Sequence, residues 1–350
     1  MAVYTELNEQ AIHAILSAYE IGSLKKFAPV SSGIENTNYF LWTSASGSDL
    51  AWSEWVLTIF ENLEEKSMPF FNQLTGYLHS HGFLVPAPVI DIQGRDVFHV
   101  SSNISPKFGV IVPRFKGEAV LFPDISECAV IAKYTARMHL VLEGFPIERP
   151  VEHTLEWCRD MVALLKPSLA SEDQSLLACA LERYLDYEQK IAACSSGIVH
   201  GDLFRDNVLF EKKEISGVID FYHAGKSAFL FDLAVIANDW AVNFDTLPSL
   251  FSEHSDADNS LDFYDQKQLD LIYDEQKLNV LIHAYDSVKP LSEAEKKAWP
   301  RFLELAAFRF WLSRLKTKYL EGYQQESKTG DVVKSPAAMK LILLAAMNKS

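Results

Sequence analysis

Cysteine is scarce in this chain. Its 350 residues hold four, Cys128, Cys158, Cys179 and Cys194, widely spaced and without a C-x-x-C pair. That spacing gives no support to the common zinc and dithiol motifs. Positive charge is also in short supply, with 32 Lys and Arg against 47 Asp and Glu and a formal net charge of −15. A chain this acidic, without a basic block, is unsuited to a nucleic-acid backbone or an anionic membrane surface. A small phosphate can still be held locally. Long apolar runs are missing too, since none approaches the roughly 18 residues of a membrane span. The first twenty residues contain no Lys or Arg and lack a signal peptide's basic start and apolar run. Together with the few cysteines, this predicts a cytoplasmic protein whose partners are small molecules, with neither nucleic acid nor membrane among them.

What is present is the composition of a globular protein, 48% hydrophobic and 23% charged. The length predicts roughly two domains. No internal repeat is visible. The first third reads mostly as strands: TNYFLWT (37–43) and EWVLTIF (54–60) are rich in β-branched and aromatic residues. A helix is predicted over 68–81, with Ser67 as cap, Pro69 in the first turn and Gly82 as stop. GVIVPRF (109–115) is a short apolar strand. From about Asp124 the period becomes helical, over 126–141, 173–194 and 229–243. Ser292 and Glu295 form a capping box ahead of an aromatic-rich helix over 301–320. The residues predict an α+β fold, with a β-rich lobe over 1–112 and a larger, mainly helical lobe over 113–350.

Two stretches imitate motifs and fail. Asp256 to Lys267 begins like a calcium loop, but Leu261 stands where glycine is needed and Lys267 where glutamate is. Gly225-Lys226-Ser227 ends like a P-loop, but Asp220 replaces its first glycine.

The strongest signal is IVHGDLFRDNVLF (198–210), which places His200, Asp202 and Asn207 in an H-x-D-x-x-x-x-N array after a short apolar strand. Asp220 follows in GVIDFY, and the two apolar runs VLF and SGVI flank a turn at Lys212 and Lys213. A hairpin there brings Asp220 back beside Asn207. Such an arrangement suits phosphoryl transfer, in which charge on the moving group is neutralised by metal and the accepting hydroxyl is aimed in line. Asn207 and Asp220 offer the hard oxygen ligands that Mg²⁺ takes alongside ATP phosphates. Asp202 is placed to accept the hydroxyl proton.

These motifs resemble the aminoglycoside phosphotransferase and choline kinase superfamily, which has the protein-kinase-like fold. Within it the chain is most similar to the homoserine kinases. The resemblance is carried by SGIENTNYFL (32–41), WVLTIFE (55–61), MPFFNQL (68–74), HGDLFRDN (200–207), GVIDFYHAG (217–225), FDLAVIANDW (231–240), VKPLSEAE (288–295) and AAFRFWLSRL (306–315). It implies two lobes, a small antiparallel sheet followed by a mainly helical lobe, and an ATP- and Mg²⁺-dependent kinase, monomeric or homodimeric, acting on the L-homoserine hydroxyl in threonine biosynthesis. An aminoglycoside, choline or another amino-alcohol is the alternative acceptor. A silent ATP-binding module is the reading from another class.

The resemblance further implies a loop over the ATP phosphates at Gly33, Asn36 and Asn38. A β3 lysine is expected next, but Thr58 occupies that position, and the helix 68–81 has no Glu to pair with one. Losing both partners leaves no unpaired charge. Asp232 is expected to brace the catalytic loop, with His200 as structural support. Asp239 is either a contact to the substrate ammonium or a solvated helix charge. Arg309 either clamps the substrate carboxylate or pairs with a buried aspartate, with Arg314 as a second candidate clamp. Arg205 either touches phosphate or faces solvent. The stretches 44–54 and 253–275 are not part of the family pattern.

Overall fold

A computed structural model describes residues 5–30, 36–44, 52–100, 106–243, 266–320 and 335–349. The chain divides into two compact units, Met1–Gly117 with Ser216–Ile219, and Glu118–Ile215 with Asp220–Ser350. The boundary expected at 112 falls inside a strand that runs to Pro113.

The first unit contains α1 (Glu9–Leu16), β1 (Ser23–Pro29), β2 (Thr37–Ser44), β3 (Trp52–Phe60), α2 (Met68–Ser80), β4 (Phe98–Val100) and β5 (Lys107–Pro113). The strands form an antiparallel sheet in the order β1-β2-β3-β5-β4. Strand residues alternate between faces. Tyr39 and Leu41 of β2, Leu57 and Ile59 of β3 and Ile111 of β5 pack with Ile12 and Leu16 of α1 into one apolar core. The other face carries Asn38, Phe40, Val56, Thr58 and Val110, with Asn38 directly opposite Thr58 and Thr58 opposite Val110. Ser67 does not cap α2 with its side chain. A 3-10 turn over Glu65–Ser67 runs into the helix, so the Ser67 backbone is already helical, whereas a capping residue needs extended backbone. The chain leaves α2 through Gly82, at φ +84°.

The second unit contains β6 (Glu118–Ala119), α3 (Ile125–Leu142), α4 (Leu155–Leu165), α5 (Ser171–Ala192), β7 (Ser196–Val199), β8 (Val208–Glu211), β9 (Glu214–Val218), β10 (Gly225–Ala228), α6 (Leu230–Trp240), α7 (Gln266–Asp270), α8 (Glu275–Asp286), α9 (Glu293–Tyr319) and α10 (Pro336–Lys349). The last residues of β9 group with the first unit. Asp124 and Glu127 close a capping box on α3, and Ser292 and Glu295 close another on α9. Helix α9 therefore starts eight residues before the expected 301 and runs through Pro300. The burial of Phe302, Leu303, Phe308, Trp311 and Leu312 sustains it across that break. Every residue of α6 is buried, which explains its largely apolar sequence, with Asp232, Asn238 and Asp239 as the polar exceptions.

Strands β7 and β10 pair antiparallel, and β8 lies between β6 and β9. Lys212 and Lys213 join β8 to β9 with φ of 51° and 65°, the positive pair of a type I′ hairpin. Of the two stretches outside the family pattern, residues 45–51 and 253–265 lie outside the described residues, and the imitated calcium loop falls mostly within the second. The end of the acidic stretch is structural: Asp274 caps α8, accepting from Gln276 N at 2.9 Å and Lys277 N at 3.1 Å. Among the described residues, no helix is long and apolar enough to cross a membrane.

Candidate active site

The loop from His200 to Asn207 joins β7 to β8 and lies wholly in the second unit. Its shape is imposed from beneath by α6. Asp232 is completely buried and accepts from His200 N and Gly201 N, each at 2.7 Å. Its third partner is His139 Nε2 on α3, at 3.0 Å. The other ring nitrogen of His139 meets Tyr285 Oη of α8 at 2.8 Å. If Tyr285 donates to Nδ1, then Nε2–H donates to Asp232, and one neutral tautomer satisfies the row. Burial pushes the Asp232 carboxyl up, but the hydrogen bonds it accepts, first the one from His139, outweigh it and hold the group below the usual carboxylate range. His139 therefore braces the loop through Asp232. Nothing in the sequence around it distinguishes that role from ordinary packing.

Asp202 is half-buried. Its N–H faces His200 Nδ1 at 3.3 Å. Asn207 Nδ2 donates to Asp202 O at 2.8 Å and to Asp202 Oδ2 at 2.9 Å. Both bonds fix the Asn207 amide, so its Oδ1 is the acceptor on the other side. Asp220 follows β9 and has left-handed backbone, φ 66° and ψ 61°, unusual for any residue but glycine and a mark of functional sites. The residues after it lie against the loop. The Phe221 ring centroid is 4.4 Å from that of His200, and a side chain at Gly201 would meet His223 O at 2.8 Å. The hairpin thus returns the chain from Asn207, at the foot of β8, to Asp220, at the end of β9.

These donors fit a divalent cation that is also held by a ligand. An amide oxygen and carboxylates are hard oxygen donors. Among the described residues, no group of three His, Cys, Asp or Glu side chains is arranged to hold a metal by itself. Asn207 and phosphate oxygens would have to complete the shell.

The structure assigns other partners to several residues. Asp239 is buried, and its Oδ2 accepts from Arg205 N at 2.7 Å and Arg205 Nε at 3.0 Å. Arg205 also donates to Leu121 O. Asp239 is thus not a solvated helix charge, and Arg205 does not face solvent; each is buried against the other. The pair ties the loop to α6. Arg309 is buried as well. Its Nη1 donates to Gly201 O at 2.9 Å and its Nη2 to His153 Nδ1 at 2.8 Å. Each terminal nitrogen thus holds a partner within the protein, so Arg309 braces the loop; among the described residues it forms no ion pair with a buried aspartate. Arg314, one turn beyond Phe310 on α9, keeps a buried Nε without a partner among the described residues. Phe310 itself meets the loop, edge-on to Phe204 at 4.6 Å.

In the first unit, Thr58 Oγ1 donates to Asn38 Oδ1 at 2.7 Å, and Asn38 Nδ2 donates to Asn36 O at 3.4 Å. Gly33 lies outside the described residues. Thr58 therefore occupies the lysine position as a hydroxyl bonded across the sheet. A Lys–Glu pair does exist nearby, Lys107 Nζ to Glu61 Oε2 at 3.1 Å. The same Glu61 accepts from Thr5 at 2.8 Å and Thr37 at 2.7 Å, and strand alternation puts it on the α1 side with Ile59. It lies on the opposite face from Thr58 and does not substitute for a β3 lysine.

Comparison with known proteins adds the following. Residues 26–250 match the phosphotransferase enzyme family. A homoserine kinase of Ralstonia pickettii (strain 12J) is 34% identical over 332 residues, covering 91% of this chain and 89% of that protein. A homoserine kinase of Burkholderia mallei (strain ATCC 23344) is 33% identical over 341 residues, covering 95% and 92%. Among solved structures, an amicoumacin kinase in complex with AMP-PNP and Ca²⁺ superposes with a TM-score of 0.64 at 17% identity, covering 97% of this chain and 94% of that one. A microcompartment-associated aminopropanol kinase gives 0.61 at 17% identity, covering 97% and 95%. These likenesses establish the two-lobed, protein-kinase-like α+β fold.

Proposed function

The chain belongs to the phosphotransferase enzyme family, and from that premise we propose that it transfers the γ-phosphoryl group of ATP to the side-chain hydroxyl of L-homoserine, giving O-phospho-L-homoserine and ADP. The observation that carries this reading is the Asp202–Asn207 pair, on a loop against which the residues just after Asp220 pack, in a chain that matches homoserine kinases over about nine-tenths of its length.

Asp202 accepts the proton of the homoserine hydroxyl as its oxygen attacks. The hydrogen bond from Asn207 holds one carboxylate oxygen, so the other points to the substrate. Asn207 Oδ1 and Asp220 would hold Mg²⁺, which when bound neutralises charge on the β- and γ-phosphates. Asp232, through His200 N and Gly201 N, keeps the loop rigid, which matters because a displacement of about 1 Å costs on the order of 100-fold in rate. Asn36, Asn38 and Thr58 lie on the sheet face and turn that we assign to nucleotide. With no lysine at position 58, backbone and amide donors and the metal have to carry the phosphate charge. Arg309 and Arg314 are the candidates for the substrate carboxylate.

The test is product identification. Purified protein with ATP, MgCl₂ and L-homoserine should yield stoichiometric ADP and O-phospho-L-homoserine, read by phosphorus NMR and mass spectrometry. ADP formation with inorganic phosphate as the sole product would contradict the assignment.

A further inference from the structure

The peptide that leads into Asp202 is gripped at both ends. Gly201 N–H donates to Asp232 at 2.7 Å, and Gly201 C=O accepts from Arg309 Nη1 at 2.9 Å. Gly201 itself sits at φ +81°, a conformation glycine adopts without strain, and a side chain there would meet His223 O at 2.8 Å. One grip, Asp232, is a carboxylate on α6. The other is an arginine on α9, and what sets that arginine is His153, just ahead of α4.

We propose that His153 is a positioning residue for phosphoryl transfer: by accepting from Arg309 Nη2 it holds the guanidinium against the Gly201 carbonyl and so fixes the peptide that carries Asp202. The inference rests on Asp202 being the base.

The placement of His153 is built rather than incidental. Its ring stands edge-on to Trp157, centroids 4.4 Å apart. The next residue, Thr154, caps α4 by accepting from Trp157 N at 3.2 Å. The segment before it is pinned to β10, where Lys226 N donates to Arg149 O at 2.6 Å and a side chain at Gly225 would approach Val151 N to 2.9 Å. Nδ1 accepts only when it carries no proton, so the proton of the ring lies on Nε2. Burial, then the neighbouring charge of Arg309, push the imidazole pKa down to about 2, which keeps that acceptor available.

A neutral acceptor has an electrostatic consequence that a carboxylate would not. It fixes the position of Arg309 without cancelling its charge. Burial weakens the hold of Arg309 on its proton, and Asp202 is first among the charges that offset this. An acid at position 153 would compete with Asp202 for the same cation.

The experiment compares His153→Leu, His153→Asn and His153→Gln in steady-state kinetics, with melting curves for each. Asn puts an acceptor close to the Nδ1 position; Gln puts it a bond farther out. His153→Leu and His153→Gln should lower kcat on the order of 30- to 100-fold while the KM values for ATP and homoserine stay within about threefold. His153→Asn should keep kcat within about fivefold of wild type. The combination of His153→Leu with Arg309→Met should be no slower than Arg309→Met alone. If His153→Leu does not fold, the contrast of Asn with Gln decides. Equal activity of all three variants and wild type, multiplying effects in the double variant, or a raised homoserine KM at unchanged kcat would each overturn the proposal. A wild-type protein that transfers phosphate to no acceptor would sink the Asp202 reading along with it, whereas an active wild type with an equally active His153→Leu contradicts this inference alone.

Discussion

The side-chain amide of Asn207 donates to both the backbone oxygen and the carboxylate of Asp202, at 2.8 and 2.9 Å. One residue thereby holds the proposed base in place and turns its own amide oxygen outward to a cation. Removing the Asp202 carboxylate should be costly to chemistry and nearly neutral to binding. Asp202→Ala is expected to lower kcat by about 10²- to 10⁴-fold, with the ATP dissociation constant measured by calorimetry changed by less than about threefold. Asn207→Ala should lower kcat and also raise the Mg²⁺ concentration needed for half-maximal rate.

Asp232 predicts an acid limb in stability. Its carboxyl lies lower in the folded protein than in the unfolded chain, so the unfolded chain binds the proton more readily. The stabilisation is complete above the ordinary carboxylate range and is lost as pH falls through the lower, folded value. Asp232→Asn should flatten that limb in urea unfolding followed from pH 3 to 7. It should also cost about 3 kcal/mol at neutral pH, because a buried charge-assisted network loses its acceptor. An unchanged acid limb in the variant would assign it to other carboxylates.

The Arg205–Asp239 pair is buried on both sides. Arg205→Met leaves a buried carboxylate uncompensated, and Asp239→Leu leaves a buried guanidinium; each should cost about 3–5 kcal/mol. The double variant should cost clearly less than the sum, since neither charge is left behind. Additive losses would show that the two side chains do not act on each other.

Thr58 is expected to act locally. Thr58→Val keeps the shape but removes the bond to Asn38 Oδ1, at a cost of about 1 kcal/mol. If Asn38 belongs to the phosphate-facing turn, the ATP KM should rise severalfold at unchanged homoserine KM. Lys107→Met, on the opposite face, should leave the ATP KM unaltered.

Local signals were readable from the chain, and long-range pairings were not. The capping box joins Ser292 and Glu295, only three residues apart, and the structure contains it. The same pattern at Asp124 and Glu127 marks the start of α3 just as directly. The hairpin between Asn207 and Asp220 is short enough for its two apolar runs to reveal it. Arg205 and Asp239 stand 34 residues apart and Arg309 and His153 156 apart. A lone histidine before a helix carries no periodic or spacing signal. Asp239 was legible as a charge on a helix but neither as buried nor as a partner, because its partner is chosen by how α6 packs under the loop. Arg309 was legible as a cation that needs an acceptor, but the acceptors proved to be a carbonyl and an imidazole.

The central claim is tested most directly by one comparison of kcat/KM, in a coupled ADP-release assay with wild type and Asp202→Ala, across L-homoserine, choline and an aminoglycoside. The account predicts that L-homoserine exceeds the other acceptors by at least about 100-fold and that Asp202→Ala abolishes the difference by lowering kcat. Turnover confined to choline or the aminoglycoside, or homoserine phosphorylation that survives in Asp202→Ala, would contradict it.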